Sequence, residues 1–187
     1  MKLYGKILYF RRGMTLNIFL DYKCSLNCDY CTLKIPTGKI PQCKTVKLED
    51  WKAFITRWPE KIKEVAIFGG EPSLVPYLAD LVNWLLGKGY HVKVFSNLTN
   101  PVPFWHIKQS YKFIISATHH RSHPVTKFLE NYKTIKHRID VYEIEKRQLS
   151  FSRVKPMVMD DSGIEKRRIQ ISPDLKIYLG CYDMCKA

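Results

Sequence analysis

Met14-Thr15-Leu16-Asn17-Ile18-Phe19-Leu20 runs without a break into Asp21-Tyr22-Lys23-Cys24-Ser25-Leu26-Asn27-Cys28-Asp29-Tyr30-Cys31. The first half is apolar and partly β-branched, hence a strand. The second half sets three thiols at C-x3-C-x2-C spacing on the loop that follows. Soft sulfur donors so close together suit an iron–sulfur cluster or a zinc ion. A four-iron cluster held by only three cysteines leaves one iron without a protein ligand, and an open position on a metal is where chemistry can happen. A closed zinc or electron-transfer site, with Cys43 as fourth ligand, is the alternative reading of the same cysteines.

Outward from this loop, strand and helix signals alternate, as βα units around a parallel sheet do. Leu48, Trp51, Phe54, Ile55 and Trp58 recur at helical spacing, with Glu49 and Asp50 in the first turn. Val65 to Phe68 reads as a second strand. A helix follows with Leu74, Leu78, Leu81, Val82 and Leu85 on one face, ended by Gly87 and Gly89. His91 to Phe95 and Phe113 to Ala117 are the third and fourth strands, with a short connection between them. Pro124 opens a helix whose stripe is Val125, Phe128, Leu129, Tyr132 and Ile135. Ile139 to Ile144 is a fifth strand and Val154 to Met159 a candidate sixth.

A full eight-unit barrel takes ~250 residues, and a chain of 187 has room for fewer units. The predicted fold is therefore α/β, a partial (β/α)6 TIM-like barrel with a short C-terminal hairpin extension. Its expected division is a core over 1–160 and an extension over 161–187 that holds Cys181 and Cys185. Barrel sites are built on the loops after the C-terminal strand ends. Those loops carry the cysteines, Gly69-Gly70-Glu71, Ser96-Asn97 and Ser116 to His120, with Glu143 and Glu145 near the end of the fifth strand. His119 and His120 read as solvated loop histidines; facing a substrate is the alternative.

The chain is 45% hydrophobic, enough for one real core. It has no run of ~18 apolar residues to span a membrane. Met1 to Arg12 lacks a signal-peptide core, so a cytoplasmic protein with reduced thiols is expected. The net charge of +14 is unevenly spread. Residues 1–63 carry 13 basic and 5 acidic groups and 106–168 carry 14 and 7, around a neutral centre. Such a surface attracts anionic partners, a peptide or small anionic molecule among them. Nucleic acid is a candidate on charge alone, and no recognition motif supports it.

The cysteine spacing, with Tyr30 just before the third thiol, resembles the radical S-adenosylmethionine (SAM) enzymes. The family's second signature, Gly-Gly-Glu-Pro, stands at Gly69-Gly70-Glu71-Pro72. The resemblance covers roughly residues 14 to 145. It implies a [4Fe-4S] cluster on Cys24, Cys28 and Cys31 and S-adenosyl-L-methionine chelated to the open iron. Reductive cleavage would then give a 5′-deoxyadenosyl radical that takes hydrogen from a peptide or small nucleotide-like substrate. A flavodoxin or ferredoxin would supply the electron. The resemblance further implies that Gly69, Gly70 and Glu71 meet the methionine amino group, that Tyr30 contacts adenine, and that Ser96, Asn97 and Ser116 lend polar contacts. Ile171 to Cys181 resembles the hairpin that opens the auxiliary-cluster region of SPASM-type members, with Leu175 where they carry glycine. Cys181 and Cys185, with or without Cys43, are candidate ligands of a second cluster. Two rival readings are an activase that installs a glycyl radical on a larger enzyme and a zinc-stabilised module that binds nucleic acid.

Overall fold

The computed structural model describes residues 14–31, 33–34, 39–40, 42, 44–58, 61–136, 140–146 and 169–178. Five strands follow one another in parallel: β1 (Met14–Phe19), β2 (Ile62–Phe68), β3 (His91–Ser96), β4 (Phe113–His119) and β5 (Asp140–Lys146). Two short strands complete the sheet, β6 (Ile169–Ile171) and β7 (Ile177–Tyr178), in the order β5-β4-β3-β2-β1-β6-β7. β6 runs parallel to β1, and β7 folds back antiparallel on β6 as the expected hairpin. The described sixth strand thus lies beside β1, at the opposite end of the sheet from β5. The candidate strand over Val154 to Met159 lies outside the described residues, as do Cys43, Cys181 and Cys185.

The parallel order needs crossovers, and helices supply them. They are α1 (Leu48–Thr56), α2 (Leu78–Gly87), α3 (Val102–Trp105) and α4 (Val125–Ile135). Period-two burial gives the sheet a helix-facing side of Leu16, Ile18, Val65, Ile67, Val92, Val94 and Ile115. Trp51 and Ile55 of α1, Leu81 and Leu85 of α2, Phe104 of α3 and Phe128 of α4 close over it. The opposite side carries a stack at one level, Phe19 on Phe68 at 5.3 Å and Phe68 on Phe95 at 4.2 Å between ring centroids. Ile171 of β6 belongs to the same core as the first five strands.

Local chemistry explains the element ends. The Asp50 carboxylate accepts the Lys47 N–H at 2.9 Å, the reach-back half of a capping box at the start of α1. Gly89 closes α2 with a φ of +87°; its N–H donates to Leu86 and that of Tyr90 to Leu85, a Schellman cap.

Three expectations need correction. Leu74 is not on α2: it sits in a 3-10 turn, Pro72–Leu74, and is 41% exposed. Pro76 is the cause, because a residue before proline is pushed out of the α region and Val75 is extended at ψ 118°. The connection between β3 and β4 contains α3, pinned by the buried Phe104. The α4 stripe is rotated: Val125 and Leu129 are exposed, whereas Phe128, Asn131 and Ile135 are buried. At the hairpin, Leu175 adopts a φ of 63°, the left-handed conformation that a glycine there would reach without strain.

Candidate functional site

The cysteine loop leaves β1 alongside the end of β2, and the two chains are joined backbone to backbone. The Leu20 N–H donates to the Phe68 carbonyl (3.1 Å), Gly70 N–H to Asp21 (2.9 Å) and Glu71 N–H to Lys23 (2.8 Å). This contact explains the glycine pair. A Cβ on Gly69 would stand 2.6 Å from the Asp21 carbonyl oxygen, and one on Gly70 would stand 2.2 Å from that of Lys23. The close approach that these glycines permit is to the loop that carries Cys24.

The three thiols share one neighbourhood. Cys28 is buried, whereas Cys24 and Cys31 are half-buried, and all three are free. The Cys24 sulfur accepts N–H groups from Leu26 (3.4 Å) and from the Asn97 side chain (3.6 Å). The Cys28 sulfur lies 3.2 Å from the Ser122 hydroxyl. Burial pushes the Cys24 thiol up, with Glu71, Cys28 and Cys31 adding to that effect and the Leu26 N–H opposing it. Among the described residues no three His, Cys, Asp or Glu side chains are gathered as ligands of one metal ion.

Glu71 lies beneath this loop, 1% exposed. Its carboxylate accepts the Ser73 N–H (3.1 Å) and the Ser96 hydroxyl (2.7 Å) on Oε1, and the Asn97 N–H (2.7 Å) on Oε2. Burial raises its pKa in spite of those three donors. Ser96 and Asn97, the polar pair at the end of β3, are thus turned toward Glu71 and Cys24. The Ser96 hydroxyl also accepts the Leu98 N–H at 3.0 Å.

Leu98 is fully buried with a φ of 56°, an unusual conformation for a branched side chain. The amide of Asn131 holds it there, donating to the Leu98 carbonyl at 2.7 Å. That bond draws Asn131 inward and accounts for the rotated face of α4. Asn131→Leu is expected to lower stability by about 2 kcal/mol, because it leaves that carbonyl unmatched in the core. Chemical denaturation measures this, and an unshifted midpoint would mean that the turn holds itself.

The loop after β4 closes over the cysteines. Tyr30 and His120 stack at 5.9 Å, and the Tyr30 hydroxyl shares a 3.0 Å hydrogen bond with His120 Nδ1. His123, which is buried, donates from Nδ1 to the Asn97 carbonyl (3.2 Å), and His119 donates from Nε2 to the His123 carbonyl (2.8 Å). His119 and His120, expected to be solvated, thus each have a partner: His119 on its own loop and His120 on the cysteine loop. Burial, followed by His119 and His123, lowers the pKa of His120. Ser116 is buried on β4, at the register level of Phe95 on one side and Glu143 on the other. Glu145 pairs in register with Thr118.

No family model matches the chain, and no curated protein matches it in sequence. Its likeness to known proteins is structural. BtrN, in complex with AdoMet and 2-DOIA, superposes with a TM-score of 0.60 at 13% identity, over 92% of this chain and 75% of that one. This chain has the fold of the radical SAM enzymes. SuiB of Streptococcus suis gives 0.50 at 9% identity, over 90% of this chain and 60% of that one. SuiB bound to the precursor peptide SuiA gives 0.49 at 16% identity, over 57% of this chain and 24% of that one.

In this radical SAM fold the C-terminal ends of β1, β2 and β3 bring Cys24, Glu71, Ser96 and Asn97 into one bonded group. His123 joins it at the Asn97 carbonyl, Asn131 holds the adjoining Leu98 turn and Ser122 meets Cys28; all three escaped the sequence reading. Only Asn131 left a signal, a polar residue at i+3 from Phe128 on an otherwise apolar face.

Proposed function

We propose that this chain is a radical SAM enzyme. On this reading Cys24, Cys28 and Cys31 hold a [4Fe-4S] cluster that binds S-adenosyl-L-methionine at its open iron. The supporting observation is the clamp of Gly69-Gly70-Glu71 onto the cysteine loop, which joins two motifs some forty residues apart into one site. The donor set fits the group: three free thiols on one loop, with N–H donors already directed at the Cys24 sulfur. When bound, the cluster supplies the electron and the open coordination position for reductive cleavage of the sulfonium.

The chain's own residues orient and shield. Three donors engage the Glu71 carboxylate, so we assign the methionine ammonium to backbone carbonyls of the Gly69–Glu71 segment. Tyr30, braced by His120, flanks the adenine. Ser116 faces the reaction space, whereas Ser96 and Asn97 hold the frame. The substrate class is a peptide or a small anionic molecule, drawn by the basic excess, and a flavodoxin or ferredoxin supplies the electron. Among the described residues no helix is long and apolar enough to cross a membrane.

The test is anaerobic reconstitution with iron and sulfide, followed by product detection with S-adenosylmethionine and a reductant. About four irons per chain and release of 5′-deoxyadenosine are expected. About eight irons would extend the reading to a second cluster on Cys181 and Cys185. Zinc in place of iron, with no cleavage, would overturn it.

A further inference from the structure

The geometry points to Asn97 as a positioning residue that sets the reduction potential of a cluster on Cys24, through an N–H···S bond, instead of contacting the cofactor. This rests on the cluster reading above and gives one of its residues a different task.

Asn97 is 4% exposed, and each of its polar groups has a partner inside the protein. Its backbone N–H donates to Glu71 Oε2 at 2.7 Å, and its carbonyl accepts from His123 Nδ1 at 3.2 Å. The side-chain Oδ1 accepts both the Thr99 N–H (2.9 Å) and the Thr99 hydroxyl (2.8 Å). Those two donors decide which way round the amide stands. A backbone N–H can only donate, so the oxygen must face Thr99, and the NH2 group must then face Cys24. It does, at 3.6 Å from the sulfur.

Leu26 adds a second N–H at 3.4 Å from the same sulfur. Hydrogen bonds to a ligating sulfur favour the more electron-rich state of a cluster, and so raise its potential. The step concerned is uptake of one electron from the reduced donor, with no bond made or broken in the protein. A higher potential makes that electron easier to accept. The Leu26 donor belongs to the loop backbone, so the Asn97 amide is the one a side-chain change can remove.

The experiment is a redox titration of the reconstituted protein, without S-adenosylmethionine, followed by electron paramagnetic resonance together with iron analysis. Asn97→Asp keeps an oxygen for both Thr99 donors and replaces the amide facing the sulfur by a carboxylate oxygen. Iron content is expected to hold and the midpoint to move to more negative potential. Thr99→Val removes the hydroxyl's bonds to Oδ1 and to the Ser25 hydroxyl, leaves the N–H···S contact, and is expected to keep the wild-type midpoint. If Asn97→Asp loads no iron, Asn97→Ser is titrated in its place, a neutral change that also lacks the donor; its expected shift has the same sign. A full cluster whose midpoint is unmoved in the variant that loads overturns this inference and leaves the cluster reading standing. An equal shift in Thr99→Val overturns it too, since loop distortion would then be the cause. Wild-type protein that binds no iron overturns the cluster reading, and this inference with it.

Discussion

Gly70→Ala is expected to abolish iron loading and to destabilise the apo chain by about 3 kcal/mol, the upper end of what overpacking costs. An added methyl would lie 2.2 Å from the Lys23 carbonyl oxygen, 2.3 Å from that of Tyr22 and 2.4 Å from the Lys23 carbonyl carbon. All three are backbone atoms, so no side chain can swing away to make room. The loop must instead move as a piece, breaking the bonds from Gly70 to Asp21 and from Glu71 to Lys23 that place Cys24. Gly69→Ala meets one oxygen at 2.6 Å and should do the same to a lesser degree. Three single variants, Cys24→Ala, Cys28→Ala and Cys31→Ala, give the contrast. Each should lose iron and S-adenosylmethionine cleavage while the apo chain unfolds close to the wild-type midpoint. Gly87→Ala gives the opposite control. Nothing lies within 4 Å of its added carbon, and a helical glycine replaced by alanine gains about 0.5–1 kcal/mol. Iron analysis with denaturation of the apo proteins separates these outcomes. Normal loading and normal stability in Gly70→Ala would show that the clamp does not set the loop.

That glycine pair also marks the limit of what the sequence reveals. The strand before the cysteines, the strand before Gly69 and the spacing of the thiols are local patterns, and the folded chain keeps them where the pattern puts them. A glycine can be recognised as a place of close approach, but which chain approaches it depends on tertiary pairing. Here β1 and β2 run in register from Thr15 opposite Glu64 to Phe19 opposite Phe68, so the two loops leave the sheet side by side. The same reasoning covers Ser96 and Asn97. Polar residues at a strand end read as ligand contacts; in the fold the Ser96 hydroxyl donates to a carboxylate 25 residues away in the chain, and the Asn97 amide lies between Thr99 and the Cys24 sulfur. His119 and His123 likewise bond to carbonyls, which no side-chain pattern announces. In α4 periodicity alone favours Leu129 over Asn131; the unmatched carbonyl of Leu98 reverses that choice.

Glu71→Ala is expected to cost about 3–5 kcal/mol, from orphaned donors and from the cavity left behind. The N–H groups of Ser73 and Asn97 and the hydroxyl of Ser96 would lose their acceptor in a place closed to water. Glu71→Gln should cost less, because it keeps the shape and one acceptor oxygen, but its NH2 end cannot accept from a third donor. The pair of variants also isolates a pH dependence. Burial raises the folded-state pKa of Glu71 above the value of about 4.3 that it has in an unfolded chain. Between those two values the folded state binds more protons than the unfolded state, so this residue's contribution to stability falls as pH rises through that window. The Gln variant has no such titration. The stability difference between wild type and Glu71→Gln should therefore be largest near the unfolded pKa and shrink as pH is raised. Denaturation of both apo proteins from pH 5 to pH 8 measures it. A difference that widens with pH would mean that the three donors outweigh burial and that Glu71 stands ionised beneath the cysteine loop. A narrowing difference would mean that Glu71 holds its proton on folding, so that the Cys24 sulfur has a neutral neighbour below it.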